Sequence, residues 1–153
     1  MLIGPDGGLH DEVRADIAAR GLDHAITLTG PLTSAEIASH AARASFYVQT
    51  SHYEGMALSV MEAMQAGLVP VITPAGEIAR YTTDGENAVW IPPEASPDDD
   101  LATVERILDL IAHPDTWREI RAQGTARLDD MPLYTDDIMA AAADVLNVDG
   151  EPA

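Results

Sequence analysis

The stretch Ser45-Phe46-Tyr47-Val48-Gln49-Thr50-Ser51-His52-Tyr53-Glu54-Gly55-Met56-Ala57-Leu58-Ser59-Val60-Met61-Glu62-Ala63-Met64-Gln65-Ala66-Gly67, followed by Leu68-Val69-Pro70-Val71-Ile72-Thr73, decides the fold. Residues 46–49 are rich in aromatic and β-branched side chains and predict a strand. A turn carrying Glu54 and Gly55 follows, and 57–66 predict a helix that ends at Gly67, with Pro70 unable to extend it. Residues 69–73 predict a second strand. Strand, loop, helix, strand is a βαβ unit, with a right-handed crossover and a ligand crevice expected at the carboxyl end of the first strand. At that end the sequence puts a glycine, a free helix N-terminus and two carboxylates eight residues apart.

The same alternation continues in both directions. Toward the amino terminus, Leu2-Ile3 reads as a strand end before the glycine-rich turn Gly4-Pro5-Asp6-Gly7-Gly8. A helix is expected over 9–20, with Val13 and Ile17 on one face and Gly21 just past its end. Residues 26–28 predict a short strand ending at Thr29-Gly30-Pro31. Thr33-Ser34-Ala35-Glu36 is a capping-box pattern that opens a helix to about residue 44. Toward the carboxy terminus, Pro74-Ala75-Gly76 is a turn, 78–81 a short helical piece and 88–91 a strand closed by Pro92-Pro93. Ser96-Pro97 starts a helix with three aspartates near its positive end. That helix, 101–112, carries Val104, Leu108 and Ile111 on one face and is broken by His113-Pro114. Helices over 115–127 and 135–146 follow, with a tail at 147–153. The expected class is α/β, a Rossmann-like parallel sheet with flanking helices.

Composition narrows the function classes. The 153 residues are enough for one domain with a core, and 46% hydrophobic content supports a globular one. The net charge is −18, and every cation is arginine. Such a chain repels nucleic acid and anionic membranes at long range. No apolar run is long enough for a transmembrane segment, and the start lacks the basic and apolar regions of a signal peptide, so the cytoplasm is the default expectation. With no cysteine there is neither a disulfide nor a thiolate metal site. The five histidines have no metal-ligand spacing. His52, two residues before Glu54, is the only one near the turn; it could touch a bound ligand, and reads more simply as a loop histidine that lines the cleft wall without a role.

The residues of the turn suggest a chemistry. The first turn of a helix presents unpaired N–H groups and a partial positive charge, and Gly55 lets the backbone approach a ligand closely. Residues Gly55, Met56, Ala57 and Leu58 would therefore form a seat for a phosphate or diphosphate. Glu62, two turns along, could accept hydrogen bonds from a ribose diol, and Glu54 could contact a sugar beyond the phosphates. On spacing alone, an exposed Glu62 and a Glu54 that merely faces the helix dipole explain the pattern more simply. Met56, Met61 and Met64 read as core residues.

Taken together, Ser51-x-x-Glu54-Gly55, Glu62-Ala63-Met64-x-x-Gly67-x-x-Pro70-Val71, the turn Gly4–Gly8, Thr27-Leu28-Thr29-Gly30, and Asp84-Gly85-Glu86-Asn87 before Ile91-Pro92-Pro93 resemble the retaining GT-B glycosyltransferases of family four, the glycosyl transferases group 1. The resemblance runs from residue 2 to about 127. It implies the carboxy-terminal, nucleotide-sugar-binding half of a GT-B fold over 1–146. It also implies transfer of a sugar from a UDP- or GDP-linked donor to an acceptor hydroxyl, with no metal or other cofactor. Glu54 would then be the catalytic residue near the donor sugar, with Gly4, Gly30, Gly55, Met56, Ala57, Leu58 and Glu62 binding the donor.

The departures from the family pattern carry expectations of their own. The family's first strand, loop and helix, with an arginine and a lysine that grip the diphosphate, have no counterpart in the chain, nor does the amino-terminal GT-B domain. A fragment, inactive by itself and needing that domain in cis or in trans, is the expectation. Arg80 stands where the family usually has glutamate, and reads equally as a phosphate contact or a surface ion-pair partner. Two alternatives stay open: a non-catalytic nucleotide-sugar-binding or interaction module, and a sugar-nucleotide epimerase or a phosphorylase on the same fold.

Overall fold

The computed structural model describes residues 1–131. They fall into two compact units, one of Met1–Ala44 and one that starts at Ser45. The expected helix over 135–146 and tail over 147–153 lie outside the described residues.

In the first unit, Leu2 pairs with Leu28 through a single parallel bridge. Leu2 N donates to Thr27 O at 2.8 Å and Thr29 N to Leu2 O at 3.1 Å. The two expected strands are thus shortened to one bridge, and Gly4 N extends the pairing with a bond to Gly30 O at 3.1 Å. The turn before the first helix is closed by Asp6, whose carboxylate accepts the amides of Gly8 and His10 and is held below the usual carboxylate range by them. Helix α1, His10–Ala19, buries Ile17. Helix α2, Ser34–Ala41, carries the expected capping box. Thr33 Oγ1 accepts from Glu36 N, and the Glu36 carboxylate accepts from Thr33 N and from Thr33 Oγ1, the two bonds that lower its pKa.

The second unit is a three-stranded parallel sheet in the order β1-β2-β3: β1 Phe46–Gln49, β2 Val69–Ile72 and β3 Val89–Trp90. Phe46 pairs with Val69 and Gln49 with Ile72; on the other side Val71 pairs with Val89. All four residues of β2 are buried, which is why it reads as an unbroken apolar run. Pro70 fits this central strand because it lies one residue before the β3 ladder begins, where its missing N–H interrupts no bond.

Both faces of the sheet are covered. On one, Val69, Val71, Val89 and Ile91 pack with Leu110 and Ile120. These last two come from α5, Pro97–Ala112, and α6, Pro114–Asp129. On the other, Ile72 and Ala88 pack with Val60 and Met64 of α3, Leu58–Gln65, and with Ile78 and Tyr81 of α4, Ile78–Tyr81. Helix α5 starts at a second capping box, in which Ser96 Oγ accepts from Asp99 N, and the pKa of the Asp99 carboxylate is lowered by the bonds it accepts from Ser96 Oγ and Ser96 N. Among the described residues no helix is long and apolar enough to cross a membrane.

Two expectations need correction. Val104, Leu108 and Ile111 do share a face of α5, but it is the outer one, and each is at least half exposed. The inner face is formed by Thr103, Ile107 and Leu110, which are the residues turned to the sheet and α6. Of the three methionines taken for core, Met64 is fully buried, Met61 is half-buried, and Met56 is exposed. Met56 sits in the loop before α3, and its carbonyl rather than its side chain is turned inward.

Candidate functional site

The loop between β1 and α3 is held from both ends. At the strand end, the carboxamide of Gln49 uses all of its hydrogen-bonding capacity. Its Nε2 donates to Glu54 Oε1 at 2.6 Å and to Ser51 Oγ at 3.2 Å. Its Oε1 accepts from Tyr47 Oη at 2.7 Å and from Ser59 Oγ at 3.1 Å. One side chain thus ties the strand, the loop and the first turn of α3 together and fixes one oxygen of Glu54. The other oxygen of that half-buried carboxylate takes no hydrogen bond from any described residue.

From the inner side the loop is gripped by its carbonyls. Gly55 O accepts from Glu77 N at 3.0 Å. Tyr81 Oη donates to Met56 O at 2.8 Å and lies 3.3 Å from Ala57 O. Glu54 O lies so close to Gly76 that a Cβ on that residue would be 1.9 Å from it. In a trans peptide the carbonyl of one residue and the N–H of the next point in opposite directions. Carbonyls 54 to 57 are directed at the 76–81 segment, so amides 55 to 58 are directed away from it. None of these four amides donates to a described group. Ala57, the N-cap of α3, has φ 49° and is the one non-glycine residue with positive φ among the described residues. Successive amides turned the same way beside such a residue form an anion-binding concavity, here joined to a helix N-terminus.

Tyr81 is 2% exposed, and its hydroxyl is pushed up to about 12 by burial, then by the nearby Glu54 and Tyr47. It therefore remains a donor throughout the neutral range.

The other residues singled out from sequence fall as follows. Glu62 is exposed on α3, on the same face as Ser59 one turn earlier, and its carboxylate forms no hydrogen bond or ion pair with described residues. His52 is exposed on the loop. Arg80 is ion-paired with Glu77 at 2.6 Å, three residues before it, with both side chains largely exposed. Gly4 and Gly30 belong to the first unit, where their backbones are joined and both have positive φ. Among the described residues no cluster of three or more metal-ligating side chains occurs. Sequence reasoning missed Gln49, Tyr81 and the close approach of Gly76. A polar Gln ending an apolar strand was the one local signal on offer.

Comparison with known proteins gives a consistent result. A family described as "Glycosyl transferases group 1" matches residues 1–125. Among curated relatives, the GDP-mannose:cellobiosyl-diphosphopolyprenol alpha-mannosyltransferase of Komagataeibacter xylinus is 31% identical over 126 residues, covering 80% of this chain and 31% of that protein. The alpha-D-kanosaminyltransferase of Streptomyces kanamyceticus is 29% identical over 109 residues, covering 71% and 28%. The chain spans less than a third of the length of these relatives. Among solved structures, the C-terminal domain of a glycosyl transferase group 1 family protein from Francisella tularensis has a TM-score of 0.69 at 25% identity, covering 81% of this chain and 62% of that one. Anabaena Alr3699/HepE, crystallised with UDP, has a TM-score of 0.75 at 24% identity, covering 96% and 40%.

Proposed function

The chain belongs to the glycosyl transferases group 1 and has the fold of a GT-B carboxy-terminal domain, and on that footing we propose that it holds the nucleotide-diphosphate-sugar donor of a retaining glycosyltransferase. The observation that carries this reading is the loop 54–58, with its carbonyls turned to 76–81 and its amides turned outward at the carboxyl end of β1. Such amides are preorganised for the charge that collects on a departing diphosphate. The names of the relatives, which transfer sugars, and the UDP complex of a structural neighbour support the same chemistry.

In the proposed reaction the bond between the anomeric carbon and the phosphate oxygen breaks, and its electron pair leaves on the diphosphate. The acceptor oxygen forms the new bond on the same face of the sugar, and its proton passes to the departing diphosphate. Amides 55 to 58 take the distal phosphate, which places positive dipoles where a metal would otherwise act. Glu54, held through one oxygen by Gln49, offers the other to donor-sugar hydroxyls. Glu62 takes the ribose diol. Acceptor contacts and the second wall of the cleft are assigned to the other GT-B domain of the complete enzyme, and the cytoplasm is the proposed compartment.

Calorimetric titration of the chain with UDP, GDP and ADP, and with the corresponding nucleotide sugars, tests the assignment. Glu62→Ala is expected to abolish nucleotide binding. Glu54→Ala is expected to weaken sugar-bearing ligands more than bare nucleotides. If both variants bind every ligand as the wild type does, the assignment is wrong.

A further inference from the structure

We propose that Tyr81 is a positioning residue for the donor diphosphate: its hydroxyl fixes the peptide planes 56–57 and 57–58, and so aims the amides of Ala57 and Leu58 at the phosphate. The proposal rests on the donor-binding reading above and extends it to a residue 23 positions beyond the end of the loop (81 − 58).

Three observations lead to it. The hydroxyl bonds to two consecutive carbonyls, and two consecutive peptide planes determine where two consecutive amides point. Met56 O has no other described donor, so removing the hydroxyl frees that plane; Ala57 O keeps a bond from Val60 N inside the helix. Ala57 adopts a left-handed conformation that an alanine does not hold without support, and the tyrosine is placed where that support is needed.

The tyrosine is itself fixed. Its ring is packed in the cluster of Val60, Met64, Ile72, Ile78 and Ala88. Its main chain is tied at its carbonyl to the Asn87 amide. Burial and the neighbouring Glu54 charge keep the phenol protonated. A residue that only filled the core could be phenylalanine; the hydroxyl is the part directed at the loop.

The test compares the ¹⁵N-labelled wild-type chain with Tyr81→Phe, which keeps the ring. Each is titrated with inorganic pyrophosphate and with UDP while the amide resonances of Met56, Ala57 and Leu58 are followed. The wild type is expected to show saturable shifts at these three amides. In Tyr81→Phe the affinity for both probes should fall about tenfold, and the shifts at Ala57 and Leu58 should shrink. Ser96→Ala, which removes the α5 cap away from the loop, serves as a control for lost stability and should bind as the wild type does. Equal binding by wild type and Tyr81→Phe overturns the role of Tyr81 alone. So does a loss that Ser96→Ala reproduces, because the effect is then one of general stability. A wild-type chain that binds neither pyrophosphate nor UDP overturns the donor-binding reading, and this proposal with it.

Discussion

Gly76→Ala tests the geometry of the loop most directly, because its consequence follows from distances. The added Cβ would lie 1.9 Å from Glu54 O, 2.8 Å from Glu54 C and 2.9 Å from Gly55 O. Real Cβ contacts essentially never fall below 3.0 Å, so the Glu54 carbonyl must retreat by at least about 1.1 Å (3.0 − 1.9). The obstructing atoms are backbone, and no side-chain rotation relieves them. The bond from Glu77 N to Gly55 O, 3.0 Å long, lies in the path of that movement. The left-handed φ of 58° adds about 1 kcal/mol for an alanine. The lost hydrogen bond adds about 1 kcal/mol, and residual overpacking at least about 1 kcal/mol more. The sum, about 3 kcal/mol, lowers the unfolding temperature by roughly 6–12 °C in a chain of this size.

The functional loss should be the larger effect. A misplacement of about 1 Å at a reacting centre costs about 100-fold in rate, and the displaced group carries Glu54. Gly67→Ala is the matched control. Its Cβ would meet the Arg121 guanidinium at 2.6 Å, a flexible end now stacked over Trp117 at 5.5 Å, and that end can swing away. Stability should fall by about 1–2 kcal/mol, from the left-handed backbone and the lost stacking, with donor binding intact. Thermal unfolding measures the loss of stability, and titration with UDP-glucose and GDP-mannose measures the loss of donor affinity that the displaced Glu54 brings. A Gly76→Ala chain that loses stability yet binds these sugars as the wild type does would refute the reasoning, because the displacement would then have been absorbed outside the loop.

Two further outcomes follow from the same neighbourhood. The Tyr81 phenol, raised from 10 to about 12 in the folded chain, binds its proton more tightly there than in the unfolded chain. Its contribution is therefore complete below pH 10 and is lost as pH rises to 12, by about 2 kcal/mol; urea unfolding from pH 9 to 12 should show a drop that Tyr81→Phe removes. Gln49→Leu leaves the Tyr47 and Ser59 hydroxyls without their partner and frees Glu54. Stability should fall by about 1–3 kcal/mol, and the preference for UDP-glucose over UDP, measured by calorimetry, should shrink.

What could be read from the sequence was local. The capping box at Thr33, the glycine after the α3 helix and the apolar run of β2 are each set by neighbours within a few positions, and each stands where expected. The loop with Glu54 and Gly55 and the helix with Glu62 were legible for the same reason. The support of that loop was not. Tyr81 reaches Met56 across 25 positions, and Gly76 approaches Glu54 across 22 (76 − 54). Only the folded backbone brings these together. Helix α5 shows the complementary limit: its periodicity defines two apolar faces, Val104-Leu108-Ile111 and Thr103-Ile107-Leu110, and the choice between them belongs to the sheet it packs on.

The charge of the chain and the charge of its proposed ligand stand in apparent conflict, and distance resolves it. A net charge of −18 opposes a diphosphate, but at physiological ionic strength charges farther than about 8 Å are largely screened. Backbone dipoles act at hydrogen-bond distance, where screening does not reach. Two carboxylates next to the loop are also partly engaged. Glu54 gives one oxygen to Gln49, and Glu77 is paired with Arg80 while its amide holds Gly55. An anion seat made of amides needs no lysine, and this chain contains none. In the proposed seat the positive potential is carried by the orientation of four peptide planes, and those planes are held by the close approach of Gly76, the amide of Glu77 and the buried phenol of Tyr81.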